Sequence, residues 1–515
     1  MRVFLIECSG DHWLGIGRAL RERHGIKPVL WSGDSRTVDV VLADFPEAIA
    51  VHGVDAACGR LPTRVKWPRV SLDAPLLSDL AADEAIALAM MDRMDPASGS
   101  FDHDARRRHW HALLRQWSGA LDAHEPEMVI FSMAPHAIYD YALYALCKRR
   151  NVRTCMFERA QLPGMVFTVE RFENGSDELR QALRLASDTA TVSSTALREH
   201  LAGLRKGGEE ALPPNYRLKL KARRLLDLGG RQKAAGALRT VAFEFARAAY
   251  LARRRSAPPH YLVRESRDGC LVSLGLAGWL WSRWRGQWKK RRLRNVYKAL
   301  AREVPRNMPY VLLALHFQPE RAVVPMAGSF CDQTLMVDIL AGSLPQGWML
   351  VVKEHPWQLV PFGRGELGRS AGFYRRIADR GNVVLAPLDA HTEELFSGAR
   401  AVATATGSIG WQAIARRLPA LVFGTPWYVD APGAYRISDI ASLHRAMAHL
   451  QNGGVVPADA AERMLAALES VAVKGFLEPA VEDIGDMFRE EAVAAMTAAL
   501  AARCRSLPGE GHVAA

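Results

Sequence analysis

Between Tyr310 and Thr425 short apolar runs alternate with amphipathic ones so regularly that few folds remain open. YVLLALHF, WMLVVKEH, NVVLAPL, AVATAT and PALVFGT read as buried strands, and DQTLMVDILAGSL, FYRRIADRG, TEELFSGA and SIGWQAIARRL read as the helices between them. Each strand–helix–strand step is a crossover to a parallel neighbour, and four in succession predict a doubly wound sheet. The N-terminal part opens in the same way, with MRVFLIECSG (strand), HWLGIGRALRERHG (helix) and IKPVLWSG (strand). It resumes with EMVIFSM (strand), AIYDYALYALCKRRN (helix) and VRTCMFE (strand), while residues 60–125 look mixed and loop-rich and carry no assignment. Two such halves facing a cleft form the GT-B architecture. The expected fold is therefore α/β, GT-B: a Rossmann-like domain over 1–175, a basic helical insertion over 176–300, a second Rossmann-like domain over 301–440 and alanine-rich helices over 441–515.

With 515 residues the chain is too long for one core, and 49% apolar residues exclude wholesale disorder. Seven cysteines are scattered without a CxxC pair, which favours a reducing compartment over a disulfide framework or zinc site. The first residues, MRVFLIECSGDHW, place an acid and a histidine where a signal peptide would still be apolar, and no apolar run approaches the roughly 20 residues of a membrane span. A cytoplasmic location is expected. The formal charge of +12 concentrates between Arg205 and Lys298, in RLKLKARR, LARRRS and RWRGQWKKRRLR, with Pro-Pro pairs at 213–214 and 258–259 breaking the segment. Such a stretch suits an anionic partner or a solvated helical surface. Within it, Trp281, Trp284 and Trp288 fall at i, i+3 and i+7 among Arg and Lys, a pattern that fits an anionic lipid interface and equally a helix packed on a core.

Ligands of a doubly wound sheet sit beyond the carboxyl ends of its strands. One strand ends at His316-Phe317-Gln318-Pro319-Glu320-Arg321 and the next at Lys353-Glu354-His355-Pro356. A third ends at Thr404-Ala405-Thr406-Gly407-Ser408 and runs straight into a helix. That last turn can offer backbone N–H groups and the hydroxyls of Thr406 and Ser408 to an anion, or Ser408 can be an ordinary N-cap. It is neither a Walker loop nor GxGxxG. His355, held extended by Pro356 and beside Lys353, suits a phosphate that becomes a leaving group.

KEHP, the TATGSIGWQA turn and LVFGTPWY together resemble the capsule polysaccharide biosynthesis family, which includes bacterial transferases of Kdo and related ulosonic acids with CMP-activated donors. The resemblance covers about residues 305–440, with Phe423-Gly424-Thr425-Pro426-Trp427-Tyr428 standing for the family's aromatic strand end. It implies that His355 and Ser408 contact the CMP phosphate and that the helix from Trp411 carries nucleoside contacts. The family often has Glu where this chain has Gln412, and an amide can accept a ribose hydroxyl at only one oxygen. LHFQPER also resembles a subgroup whose carboxylate, at the place of Glu320, is implicated as nucleophile, and Arg321 would pair with the donor's own carboxylate. His316, Gln318, Lys353, Pro356, Thr406 and Gly407 complete the expected donor site.

In the first half, His136 and Asp140 are spaced i, i+4 and could bind or deprotonate an acceptor hydroxyl, or serve as a helix cap. The resulting expectation is a retaining glycosyltransferase carrying a Kdo-like or nonulosonic sugar from CMP to a bacterial surface glycan. Its partners would be the CMP-sugar, a glycan or lipid-linked acceptor, and an anionic membrane surface through residues 276–298, at the inner face of the inner membrane. No nucleic acid, metal or other cofactor is expected. Two rival readings are a teichoic-acid-type polyol-phosphate transferase and a non-catalytic, membrane-associated assembly protein.

Overall fold

Val3, Phe4, Leu5 and Ile6 are all fully buried, so the first strand has no polar face and must lie in a sheet covered on both sides. The structure, a computed structural model, describes residues 1–63, 65–68, 70–95, 101–160, 164–186, 191–208, 263–265, 271–273, 276–360, 364–477 and 486–506. Along the chain its strands are β1 (Arg2–Ile6), β2 (Lys27–Gly33), β3 (Ile49–His52), β4 (Met128–Phe131), β5 (Arg153–Arg159) and β6 (Met165–Val169). There follow β7 (Val263–Glu265), β8 (Leu271–Ser273), β9 (Tyr310–Ala314), β10 (Met349–Lys353) and β11 (Val383–Leu385). The last are β12 (Ala399–Thr404), β13 (Ala420–Val422), β14 (Ala434–Arg436) and β15 (Val473–Lys474).

The first sheet has the order β15-β6-β5-β4-β1-β2-β3, and the second β11-β10-β9-β12-β13-β14. The second is parallel throughout; in the first, β6 and β15 join antiparallel at one edge. Each sheet grows outward in both directions from its first strand, the Rossmann order, so its crevice opens where the winding reverses: between β1 and β4, and between β9 and β12. This is the expected α/β, GT-B fold of two Rossmann-like domains. The carboxyl ends of the two sheets face one another, because Arg93 donates from Nη1 to the Glu320 carbonyl (3.0 Å) in one half and from Nη2 to the His136 carbonyl in the other. One apolar cluster runs from Phe4 and Ile6 through Tyr139, Tyr141 and Tyr144 to Val311, Leu313 and Leu350, so the halves share a core.

Residues 60–125 are more helical than expected, with helices at Ala74–Asp79, Ala81–Met90 and His103–His124. The last is capped by Asp102, which accepts from the Ala105 amide (2.8 Å), and buries Trp110, Leu113, Leu114 and Trp117 on one face. Beyond residue 440 the chain is mostly helical, but β15 adds a strand, and the helix Asp486–Arg505 returns to the first half. There Arg503 donates from Nε to Thr168 Oγ1 (2.9 Å), and Arg153 Nη2 donates to the Arg503 carbonyl (2.6 Å).

Within 176–300 the structure shows helices Asp177–Leu185, Thr195–Lys206 and Leu276–Leu300 and the antiparallel hairpin β7–β8. RLKLKARR, LARRRS and both Pro-Pro pairs lie outside the described residues. Helix Leu276–Leu300 buries Ser282, Lys290, Leu293 and Tyr297, while Trp281, Trp284 and Trp288 are 57%, 53% and 58% exposed. Trp281 and Trp284 stack at 5.0 Å, and Trp288 meets Trp284 edge-on at 6.0 Å. The stripe is not part of the core. No helix of the described residues is long and apolar enough to cross a membrane.

Candidate active site

His316 is the hub of the second half. Its ring Nε2 receives the amides of Ala405 (3.1 Å) and Thr406 (3.2 Å) and lies 2.9 Å from Thr404 Oγ1. A nitrogen that accepts two N–H bonds carries no proton, so the neutral ring holds its hydrogen on Nδ1, 3.7 Å from Glu320 Oε2. The His316 backbone is clamped as firmly: Gln333 accepts its N–H at 2.8 Å, and Arg369 Nη2 donates to its carbonyl at 2.9 Å. A residue expected among the donor contacts thus holds the exit of β9 to the exit of β12.

The glycine-rich turn is correspondingly less open to an anion than its sequence suggests. Two of its amides are taken by His316, and the Gly407 amide donates to Thr404 Oγ1 at 3.2 Å. A Cβ on Gly407 would lie 2.7 Å from Thr404 Oγ1 and 3.1 Å from His316 Cε1, so this turn admits glycine only. The N-cap of helix Ser408–Ala415 is Gly407, with no side-chain cap, so Ser408 is the first helical residue and not the capping serine. Its hydroxyl makes no hydrogen bond to the described residues, and the amides of Ser408 and Ile409 remain at the helix start. Tyr428, from the aromatic strand end, donates to the Gly407 carbonyl, and Trp411 packs at 4.8 Å on Trp427. Gln412 is buried on the same helix.

Lys353, Glu354 and His355 stand in succession at the exit of β10. Lys353 donates from Nζ to the Ala390 carbonyl (2.5 Å). Glu354 is buried and accepts Arg369 Nε (2.8 Å) and Nη2 (3.1 Å), Tyr374 Oη (2.6 Å) and the His355 amide (2.7 Å). His355 itself is half-buried; its Nδ1 accepts the Trp357 amide at 3.1 Å, which places the proton of the neutral ring on Nε2 as a donor. Pro356 is exposed and opens the turn that follows. Gln358 ties this loop to the β9 exit, accepting the Gln318 amide (2.9 Å) and donating to the Gln318 carbonyl (2.8 Å). The Gln318 side chain is left over: its Nε2, like Thr406 Oγ1, is buried without a hydrogen-bond partner among the described residues.

Across the cleft, His136 and Asp140 do not share a helical face, because the helix begins only at Tyr139. The Asp140 carboxylate instead accepts the amides of His136 (2.8 Å) and Ala137 (2.7 Å), which precede the helix, and of Tyr141 (2.6 Å). Burial and the nearby Glu7 charge push its carboxyl up to about 7. The His136 ring donates from Nδ1 to the Ala134 carbonyl (3.0 Å); burial, with Arg321 and Arg93, holds it down at about 3, so it is neutral and a weak base. Arg321 is exposed, and its charge reaches both His136 and Glu7 of the opposite half.

Sequence reasoning missed Gln333, Gln358, Arg369 and Tyr374, helix and loop residues with no motif spacing. It also missed Glu7, which the strand-end rule could have found in MRVFLIECSG. Two further carboxylates lie at element ends, and one of them, Asp332, caps its helix through the Thr334 amide (3.0 Å). The Glu158 side chain, near the carboxyl end of β5, has no hydrogen-bond partner among the described residues, and burial pushes its carboxyl up to about 8.

The sequence model of a family described as capsule polysaccharide biosynthesis protein matches residues 229–446. No curated protein matches the chain in sequence. Among solved structures, the Thermosulfurimonas dismutans KpsC beta Kdo 2,4 transferase is 10% identical over 72% of this chain and 87% of its own, with a TM-score of 0.26. The UDP-GlcNAc 2-epimerase of Methanocaldococcus jannaschii is 10% identical over 91% and 100%, with a TM-score of 0.24. The sucrose-phosphate synthase of Thermosynechococcus elongatus is 12% identical over 98% and 99%, with a TM-score of 0.22. At these scores the fold assignment rests on strand order.

Proposed function

From the match of residues 229–446 to the capsule polysaccharide biosynthesis family, whose resemblance the KEHP, TATGSIG and FGTPWY segments carry, we propose that this chain is a glycosyltransferase of capsule assembly. Its donor is a CMP-activated Kdo-like or nonulosonic sugar, and its acceptor a bacterial surface glycan or its lipid-linked precursor. The observation that carries the reading is the crevice between β9 and β12, where Thr406 Oγ1, buried without a hydrogen-bond partner among the described residues, follows the amide held by His316 and the helix Ser408–Ala415 begins. In this reading His355 Nε2–H and the Ser408 hydroxyl and amide hold the CMP phosphate as it leaves. Gln318, Thr406 and Gln412 bind the rest of the donor, and Arg321 pairs with its carboxylate. Lys353 supports the site through the Ala390 carbonyl, and the role first assigned to it passes to the helix start.

CMP is expected to raise the melting temperature where UDP and ADP do not, since a ligand at a hundred times its Kd stabilises by about 2.7 kcal/mol. His355→Ala and Ser408→Ala should each diminish that shift. Equal protection by UDP, or an undiminished CMP shift in both variants, rules out the donor assignment. Turnover of a panel of CMP-, CDP- and UDP-activated donors separates this reading from polyol-phosphate transfer and from a non-catalytic scaffold.

The exposed Trp281, Trp284 and Trp288, with Arg291 over the Trp288 ring (5.9 Å), support peripheral attachment to an anionic inner leaflet, where a lipid-linked acceptor is presented. Vesicle binding should require anionic lipid and weaken with salt, and replacing the three by Ala should release the protein without changing its melting temperature. Undiminished vesicle binding by that variant defeats the assignment.

A further inference from the structure

Glu7 follows β1 directly, at the reversal point between β1 and β4, on the first half's side of the cleft. Its φ of 56° is a left-handed conformation that side chains other than glycine avoid unless their surroundings impose it. Here the surroundings do so. The Glu7 amide donates to Ser32 Oγ at 2.9 Å, and Tyr139 Oη lies 2.5 Å from Glu7 Oε1 and 2.8 Å from Ser32 Oγ. A Cβ on Gly53 would come within 2.5 Å of Oε1, so the glycine makes room for this carboxylate. Oε2 has no hydrogen-bond partner among the described residues. A strained backbone anchored on Ser32, the Tyr139 hydroxyl on Oε1 and the room left by Gly53 thus fix one carboxylate oxygen and leave the other for something else.

We propose that Glu7 is the general base of the transfer, its carboxylate taking the proton of the acceptor hydroxyl. This rests on the glycosyltransferase reading above. In the step, the hydroxyl oxygen forms its bond to the anomeric carbon, and the bond from that carbon to its leaving oxygen breaks with the electron pair going to the leaving group. The hydroxyl proton passes to Glu7. Its neighbours Asp140 and His136 are less suited to accept that proton, since three amides take up the Asp140 carboxylate and His136 is too weak a base. Arg321, from the opposite half, brings the charge expected to hold the donor's carboxylate within electrostatic reach of Glu7. The groups that set the Glu7 proton affinity are Tyr139, Arg321 and His52, which lower it, and Asp34, which raises it; the Asp140 charge is felt in the same cluster, and burial outweighs them all, so the carboxyl titrates above its ordinary range. A base of this kind works once ionised, so activity should climb with pH through that raised value.

The test is Glu7→Gln in the full chain, beside Glu7→Asp, with the donor that wild type turns over. Glu7→Gln is expected to lose roughly 10²- to 10⁴-fold in kcat, to keep the CMP melting shift and to lose the acidic limb of the pH profile of kcat/KM. Glu7→Asp should keep that limb at reduced rate. Azide, a nucleophile with no proton to give up, should restore donor turnover in Glu7→Gln. A merely structural role predicts loss of the CMP shift and no azide rescue, and either result overturns the proposal, as does near-normal transfer by Glu7→Gln. An active wild type with an unaffected Glu7→Gln sinks the base assignment alone. A wild type that turns over no CMP-sugar sinks the transferase reading and this inference with it.

Discussion

Glu320→Gln is expected to bind the CMP-sugar as wild type does and to transfer it roughly 10³-fold more slowly. The carboxylate stands just past the carboxyl end of β9, with the Nδ1–H of a clamped imidazole 3.7 Å away and its backbone carbonyl pinned to the opposite half by Arg93. As CMP leaves a ketosidic donor, positive charge builds at the anomeric carbon. A fixed glutamate can stabilise that charge or trap the sugar as a covalent ester. The amide keeps the volume and removes the charge, so binding and turnover should separate. A trapped glycosyl-Glu320 seen by mass spectrometry, with retention of configuration, supports the nucleophile; inversion leaves Glu320 only an electrostatic role. If Glu320→Gln transfers sugar at near-normal rate, the assignment is wrong and Glu158 is next to examine. Asp332 and Asp140 are weaker candidates, because their oxygens already accept backbone amides.

Much of the fold was legible because parallel strands buried on both faces leave unbroken apolar runs, as in MLVVK and YVLLA. The same rule located the ends of β9, β10 and β12, and the His316, His355 and Thr406–Ser408 cluster with them. Residues 101–125 were harder to read: the stripe Trp110, Leu113, Leu114, Trp117 and Leu121 is helical, but HDARRRHWHALLRQW surrounds it with charge. Side-chain direction was not legible at all. Lys353 ends β10 and His355 lies two residues on, yet one reaches the Ala390 carbonyl and the other is oriented by the Trp357 amide. His136 and Asp140 show the limit of spacing arguments, since i, i+4 places side chains together only inside a helix, and theirs starts between them. Glu7 was hidden differently: the strand-end rule reaches it in MRVFLIECSG, but only the strand order shows that this end lies at a reversal point.

The pair Glu354–Arg369 should govern the stability of the second half more than any other polar contact there. The side chains are 0% and 2% exposed, and the carboxylate is saturated: two bonds from Arg369, one from Tyr374 and one from the His355 amide fill both oxygens. Removing either partner leaves a buried charge without its counter-ion, a loss of about 3–5 kcal/mol, whereas an exposed pair such as Arg36–Asp11 is worth less than about 1 kcal/mol. Glu354→Ala is therefore expected to shift denaturant unfolding of the second half by that amount, and Arg36→Ala to leave it unchanged. Because Arg369 also holds the His316 carbonyl, Arg369→Ala should weaken the CMP melting shift even at temperatures where the protein stays folded. The double variant Glu354→Leu with Arg369→Met separates charge from framework. It should recover part of the stability, since no unpaired charge remains, but not the CMP shift, since the His316 clamp and the acceptor for Tyr374 are gone. Recovery of both would show that the pair packs the core and takes no part in shaping the donor crevice. Loss of less than about 1 kcal/mol in Glu354→Ala would mean that water reaches the pair and that the closed β10 exit is not the one populated in solution.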